Sequence, residues 1–135
     1  MRRLNIERMY LKKMLETKKY FVDKKFEFEE NEPMLLQLVK RDEPGSVIGR
    51  VKAVAFFEQF GEDKAGESIR LYSKRWKYVI TFKNVKSFHT GESFNLEDII
   101  PNYEEKYNSR IGIIKLDRTD EAIVRKRIER YLDII

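Results

Sequence analysis

The sequence contains no cysteine and only one histidine, His89, among its 135 residues. Without cysteine, disulfides, thiol nucleophiles and cysteine-based zinc sites are excluded. One histidine cannot supply a histidine metal cage or a histidine pair for acid–base catalysis. No apolar run approaches the roughly 20 residues that span a bilayer, and the basic N-terminus lacks the apolar core of a secretory signal. We therefore expect a cytoplasmic protein with no membrane partner, cofactor or metal.

Signature loops for phosphate binding and catalysis are missing from the sequence as well. There is no Gly-Lys-Thr/Ser loop and no dinucleotide-binding glycine triplet. The serines lack the elbow or Ser-x-x-Lys context of a nucleophile. Glu58, Glu62, Asp63 and Glu67 lie in an acidic stretch, but their spacing matches no known cation-binding loop. These absences favour a binding protein over an enzyme.

The composition is that of one globular domain, which we place at residues 1–135. Hydrophobic residues make up 41% and charged residues 38% of the chain, far from the balance of a disordered segment. Abundant lysine and glutamate are typical of a thermophile. The net charge is +5, and the basic residues form three groups: residues 1–25; Arg70, Lys74, Arg75 and Lys77; and Arg125, Lys126, Arg127 and Arg130. Such groups attract phosphates if the fold gathers them on one face, and are otherwise merely solvated.

Hydrophobic periodicity predicts an α+β order of elements. Residues 5–21 read as a helix capped by Asn5, although residues 19–22 also suit a short strand. Strands are expected at residues 35–41, 47–57, 75–88 and 111–116, with a Pro-Gly turn at 42–45 and a polar loop at 59–73. A short helix at 94–100 capped by Asn95 and a last helix capped by Asp117 or Thr119 complete the order.

Two strands carry more specific expectations. Apolar residues occupy both sides of the strand at 47–57 near its end, which fits a barrel or a helix-covered sheet. Gly49 within that strand indicates a bulge or a close approach by another backbone. In the strand at 75–88 we expect Val79 in the core, with Trp76, Tyr78, Ile80 and Phe82 on the opposite face.

Aromatic and basic residues crowd around the loop at 59–73. Aromatic rings stack on unpaired bases, and neighbouring cations hold the phosphates. We predict Tyr72 and Trp76 as stacking partners, Phe57 as the pocket floor, and Arg70 and Arg75 as phosphate or base-edge contacts. The competing interpretation places such rings in the core, and we favour it for Phe56, Tyr78 and Phe82, because buried aromatic residues dominate the cores of small barrels.

The order of elements over residues 20–132 resembles the PUA-like superfamily, and within it the EVE and YTH-related domains. The resemblance rests on four stretches of the sequence: residues 32–39, residues 47–54 (similar to an Ile-x-Gly-x-x-x-Val strand), residues 75–82 (similar to a Trp-led strand), and the closing strand and helix at 112–132. The resemblance implies a mixed β-barrel that holds a modified base in an aromatic pocket. Tyr20 or Phe21 stands in for the tryptophan that often lines it. The related ASCH branch includes amidohydrolases, but its Gly-x-Lys-x-x-Glu-x-Arg signature is absent from this sequence.

We therefore predict an α+β fold with a curved or closed five- to six-stranded mixed β-barrel and flanking N- and C-terminal helices. The predicted function is non-catalytic binding of RNA or DNA, with a base, plain or modified, in the aromatic pocket, by a monomer or weak homodimer. One alternative is a small hydrolase of a modified nucleoside, which needs Lys74 or Lys52 beside Glu58. The other is a protein-interaction module in which the apolar stripe of the last helix pairs two copies; the stripe consists of Val124, Ile128, Tyr131, Leu132 and Ile135.

Overall fold

The computed structural model is a six-stranded mixed sheet that curls into a half-barrel, with helices packed around it. It describes residues 1–39, 49–89, 91–108 and 111–132. The elements in chain order are β1 Arg2–Ile6, α1 Arg8–Thr17, β2 Lys19–Val22, β3 Pro33–Leu38, β4 Val51–Glu62, α2 Glu67–Tyr72, β5 Tyr78–Ser87, α3 Leu96–Ile99, α4 Tyr103–Lys106, β6 Ile113–Lys115, α5 Arg118–Arg127 and α6 Glu129–Leu132. The strand order is β2-β5-β4-β3-β1-β6; β1 and β3 are parallel and the other neighbours antiparallel. The predicted α+β class with a curved six-stranded mixed sheet is confirmed.

The predicted N-terminal helix is wrong at both ends. Its first residues form β1, which pairs with β3 from Arg2 to Ile6, so Asn5 lies in a strand and caps nothing. The helix starts after Glu7 and stops where Lys18 adopts a left-handed conformation at φ 60°. The alternative prediction of a strand at residues 19–22 is confirmed as β2. At Asn5 and Ile6, the first two residues of the predicted helix, pairing with a buried neighbour outweighed the helical spacing.

The centre of the sheet is buried on both faces. Every residue of β3 is buried, as are residues 53–56 of β4. Leu35 and Val54 point into a core shared with α3 to α6, whereas Leu36 and Ala53 point into the concave side of the curl with α1. The expectation that both faces near residue 57 are covered is thereby confirmed.

Two further details of β4 and β5 differ from the prediction. β4 begins at Val51 and continues to Glu62, so the first four residues of the polar loop expected at 59–73 are strand, and α2 occupies six of the others. The expected turn at 42–45 and the strand residues before Gly49 lie outside the described residues. In β5 it is Ile80 and Phe82 that are buried, whereas Val79 is half-buried. A strand with apolar residues on both faces does not reveal which face meets the core.

The C-terminal half follows the predicted order. α3 begins after Asn95, and the side chain of Asp117 caps α5 by accepting a hydrogen bond from the Asp120 amide at 2.8 Å. The apolar stripe of α5 and α6 is already used: Val124, Ile128 and Tyr131 are buried in the chain's own core. The stripe therefore does not supply the surface that the predicted helix-paired dimer requires. Ile135, its last predicted member, lies outside the described part. Within the described ranges, no helix is long and apolar enough to cross a membrane.

Candidate nucleic-acid interface

A cleft of about 250 Å³ opens where the sheet fails to close, between the β1–α1 junction and the edge strand β2. One wall is formed by residues 5–7 and α1, and the facing wall by residues 19–21. The segment that follows α2 forms the third side. The complete lining is Asn5, Ile6, Glu7, Tyr10, Met14, Lys19, Tyr20, Phe21, Tyr72, Lys74 and Trp76.

Four of the five aromatic rings that line the cleft pack against one another. Tyr72 meets Tyr10 edge-to-face at 4.9 Å between ring centroids and meets Trp76 at 5.9 Å with planes 88° apart. Phe21 lies nearly parallel to Trp76 at 6.2 Å, with 26° between the planes. Phe21 is buried, while Tyr10, Tyr72 and Trp76 are half-buried. The half-buried rings therefore keep part of their faces available to a ligand.

The two rings contributed by α2 and its C-terminal segment are held by one buried hydrogen-bonded pair. Asp63 accepts hydrogen bonds from the Glu67 amide at 2.9 Å, the Ser68 amide at 3.0 Å and the Ser68 hydroxyl at 2.6 Å. The Ser68 hydroxyl oxygen in turn accepts from the Trp76 amide at 3.1 Å. Asp63 thus stabilises the first turn of α2, the helix that ends at Tyr72. Ser68 holds the backbone of Trp76 in place.

The carboxyl group of Asp63 is ionised in this setting. Burial on its own would raise its pKa, but the hydrogen bonds from Ser68 and Glu67 and the nearby charge of Arg75 outweigh burial. The net result is a pKa of Asp63 below the ordinary value of 3.8. An ionised carboxylate is a strong acceptor, so the cap holds α2 firmly at neutral pH.

Lysines surround the aromatic walls. The Lys74 ammonium lies 4.7 Å from the centroid of the Trp76 ring, and that of Lys13 lies 5.4 Å from the centroid of Tyr72. Lys13 also donates to the Leu71 carbonyl, and Lys19 forms an ion pair with Glu67. The first two basic groups of the sequence therefore meet at the cleft. The third lies on α5 and α6, where Arg125 and Arg130 pair with acids.

Tyr20 closes the bottom of the cleft, at the open seam of the sheet. Its hydroxyl donates to the Asn5 carbonyl at 2.8 Å, which joins β2 to β1 without strand pairing. Burial raises the pKa of Tyr20 from 10.0 to about 12, against a smaller opposing effect of the Arg3 charge. The hydroxyl therefore keeps its proton, and with it the hydrogen bond, throughout the neutral range.

The comparison with known proteins rests on structure alone. No protein-family model and no curated protein matches the chain. A crystal structure of ASCH from Zymomonas mobilis matches with a TM-score of 0.65 and 9% identity, covering 93% of both chains. A tyrosine-to-phenylalanine variant of it matches at 0.64 with 10% identity over 93% of this chain and 96% of that one. Its serine-to-alanine variant also matches at 0.64, with 9% identity over 93% and 94%.

The chain has the fold of an ASCH domain. ASCH domains belong to the PUA-like superfamily, so the predicted PUA-like resemblance is confirmed at the level of fold. The EVE and YTH-related details stay a prediction. At 9–10% identity, the likeness to these structures lies in the fold.

Within this ASCH fold, three of the six predicted site residues meet in one place. Tyr20, Tyr72 and Trp76 all line the cleft. Phe57 lies elsewhere, stacked on Phe28 at 4.7 Å in a separate aromatic cluster on the concave side. Arg70 points outward.

Neither of the two predicted arginines lines the aromatic cleft. Arg70 is exposed and forms an ion pair with Glu67 at 2.8 Å. Arg75 lines a separate polar depression with Asp63 and Lys77. Their predicted contacts to a ligand remain predictions, but the cations beside the rings are Lys13 and Lys74.

Residues that the sequence did not single out complete the cleft. Tyr10 and Met14 belong to the apolar side of α1, a pattern that signals core packing and gave no sign of a ligand. Glu7 follows β1, a strand that was not expected. The sequence signal that could have found these residues is the short strand predicted as an alternative at residues 19–22. Phe21 of that strand lies across the cleft from the end of β1.

The arrangement required by the hydrolase alternative is not assembled in the described structure. Lys74 lines the cleft, but Glu58 is an exposed residue of β4 and does not. Lys52 belongs to the same strand, six residues earlier. The geometry therefore favours binding over hydrolysis.

Proposed function

We propose that this chain is a non-catalytic nucleic-acid-binding module that holds a single unpaired base in the cleft between Tyr72, Trp76 and Phe21. The observation that carries the proposal is the open aromatic cleft beside two lysines. A flat heterocycle placed there meets ring faces and edges, while the phosphates on either side meet cations. The fold of an ASCH domain, a PUA-like fold, is consistent with RNA as the partner.

The magnitudes are adequate for specific binding. Stacking on an aromatic side chain contributes about 1–3 kcal/mol per base. Each phosphate neutralised on a single strand lowers the slope of log affinity against log salt concentration by about 0.7. With Lys13, Lys19 and Lys74 as the contacts, we expect a slope of about −2. A protein held by charge alone would show a similar slope but no dependence on the rings.

The aromatic lining of the cleft favours an unpaired base. A base in a duplex presents neither face, because both are stacked on its neighbours. Single-stranded RNA is therefore the first partner to test, and single-stranded DNA the second. A modified base, as the EVE and YTH resemblance implies, is a refinement of the same proposal.

The test is a titration of labelled octaribonucleotides into the full chain at two salt concentrations. The probes are r(UG)4, its complement r(CA)4, their duplex and d(TG)4. We expect a single strand to bind more tightly than the duplex, with quenching of the chain's one tryptophan, Trp76. Equal affinity for duplex and single strands, with no change in Trp76 emission, would overturn the proposal.

Trp76→Ala is the decisive variant. It should weaken single-strand binding about 5- to 150-fold, the equivalent of about 1–3 kcal/mol, and leave the circular dichroism spectrum unchanged. Phe26→Ala is the matched control, because Phe26 is a half-buried ring that packs on Phe28 at 5.9 Å and does not line the cleft. If Trp76→Ala unfolds the protein, the ring is a core residue and the site assignment fails.

A further inference from the structure

The proposed cleft has a second chemical feature, an open strand edge. β2 is the first strand of the sheet, paired with β5 on one side only. Its residues 19–21 line the cleft opposite the β1–α1 junction. The open edge of a strand carries main-chain donors and acceptors that need partners.

The pairing with β5 fixes which groups point to that edge. The Phe82 amide donates to the Lys18 carbonyl at 2.8 Å, so residues 18 and 82 form a hydrogen-bonded pair. Hydrogen-bonded and non-hydrogen-bonded pairs alternate along an antiparallel ladder. By the observed register, Tyr20 and Val22 therefore bond to β5, while Lys19 and Phe21 direct their amide and carbonyl groups away from it.

Of these outward main-chain groups, those of Phe21 are the best placed to contact a ligand in the cleft, because the Phe21 ring already stacks beside Trp76. Its N–H and C=O lie side by side within one residue, a donor next to an acceptor. In the described part of the chain, no main-chain hydrogen bond joins Phe21 to an element other than β5. Every base carries an adjacent acceptor and donor on its Watson–Crick edge, and this edge is free only when the base is unpaired.

We infer that the main chain of Phe21 reads the Watson–Crick edge of the base held in the cleft. This inference rests on the proposed function and narrows its ligand to bases whose Watson–Crick edge is unblocked. A methyl group on the ring nitrogen of that edge removes the donor of uracil or guanine, or the acceptor of adenine or cytosine, and collides with the strand. A methyl group elsewhere on the base, such as on carbon 5 of uracil, leaves the two hydrogen bonds intact.

Amide hydrogen exchange on the full chain, followed by nuclear magnetic resonance, tests the geometry directly. Without RNA, the Lys19 and Phe21 amides should exchange at least about tenfold faster than those of Tyr20 and Val22, which bond to β5. Saturation with r(UG)4 or r(CA)4, whichever binds, should slow the Phe21 amide about tenfold or more and leave the Tyr20 and Val22 amides unchanged. Binding that leaves Phe21 in fast exchange would overturn this inference while the proposed function stands.

A methylated probe tests the chemistry. An octamer of N3-methyluridine and N1-methylguanosine should bind at least about tenfold more weakly than r(UG)4. An octamer of 5-methyluridine and guanosine is the matched control and should bind like r(UG)4. Equal affinity for all three would refute edge recognition, and no binding by r(UG)4 or r(CA)4 would remove the proposed function and this inference together. Phe21 protection that rises with protein concentration in the absence of RNA would instead assign the edge to pairing between two copies.

Discussion

At the scale of single residues, the aromatic cleft depends on two polar residues, Asp63 and Ser68, that do not line it. Tyr72 and Trp76 sit at opposite ends of a short irregular turn, and rings on such a segment would ordinarily sample many positions. Asp63 and Ser68 remove that freedom, since each accepts hydrogen bonds from backbone amides that would otherwise be unpaired. A site whose walls are fixed before binding loses less conformational entropy when the ligand arrives.

Ser68→Ala should therefore loosen the cleft without removing any wall. The substitution deletes the hydroxyl that bonds Asp63 and leaves the Trp76 amide unpaired, at a cost of about 1–3 kcal/mol in the free energy of unfolding. Steady-state anisotropy of the Trp76 emission should fall in the free protein, and the affinity for a single-stranded octamer should fall with it. Ser87→Ala, at the exposed end of β5, is the control. Unchanged anisotropy in Ser68→Ala would show that the ring is positioned by packing alone.

At the scale of elements, backbone contact between chain segments sets the shape of the half-barrel. Gly49 lies immediately before β4, and a Cβ atom at this position would overlap the Leu38 carbonyl at the end of β3. The expectation of a close backbone approach at Gly49 is therefore confirmed, although the residue precedes the strand that was thought to contain it. The Leu38 amide also donates to the Arg50 carbonyl at 3.0 Å, so the two segments are joined at this point.

Gly49→Ala should destabilise the fold by about 1–3 kcal/mol, because backbone atoms cannot yield as a flexible side chain does. Gly61→Ala is a matched control within β4, since nothing lies within 4 Å of the added Cβ, and its effect should stay within about 0.5 kcal/mol. Urea unfolding followed by circular dichroism measures both. Equal midpoints for the two variants would contradict the close approach of β3 and β4.

The same scale shows what the sequence could and could not reveal. Alternating apolar residues and turn chemistry located β3, β5, β6 and the capped α5, because each of these signals is local. β1 escaped prediction because it is held by strands distant in sequence: a parallel pairing with β3, about thirty residues away, and an antiparallel pairing with β6, near the far end of the chain. Only part of the cleft could be predicted, for the same reason. Tyr72 and Trp76 are close in sequence, whereas Tyr10 and Phe21 reach them only through the pairing of β1 and β2 with the rest of the sheet.

At the scale of the whole molecule, the open seam beside β2 joins stability to the proposed binding site. The two edge strands of the sheet are β2 and β6, and a fully closed barrel would bond these two strands to each other. The Tyr20 side chain spans the gap by donating to the Asn5 carbonyl. Among the described residues, no main-chain hydrogen bond joins the neighbouring Phe21 to a second strand, and its main-chain groups are the ones assigned above to the ligand. The molecule thus keeps an incomplete sheet at the place where we propose that it binds.

The alkaline stability of the protein should report on that seam. Tyr20 has a pKa of about 12 in the folded chain against 10.0 when exposed. Because the folded state keeps its proton longer than the unfolded state, Tyr20 stabilises the fold fully below pH 10 and progressively loses this effect as the pH rises toward 12. Tyr20→Phe lacks both the ionisable group and the hydrogen bond to Asn5. It should be less stable than the parent at pH 8, and the difference should shrink as the pH approaches 12.

Tyr131→Phe supplies the comparison, since Tyr131 is also buried but accepts a hydrogen bond from the His89 amide in the other core, away from the seam. Thermal unfolding from pH 8 to 12, together with ultraviolet absorbance of tyrosinate, follows both quantities at once. The Tyr20→Phe protein should also bind single-stranded octamers more weakly, because the bottom of the cleft is no longer hydrogen-bonded to β1. If the stability gap between Tyr20→Phe and the parent is constant across this pH range, the Tyr20 hydroxyl is not the group that holds the seam, and β1 and β2 must be held together by the apolar contacts around Met14 and Leu36.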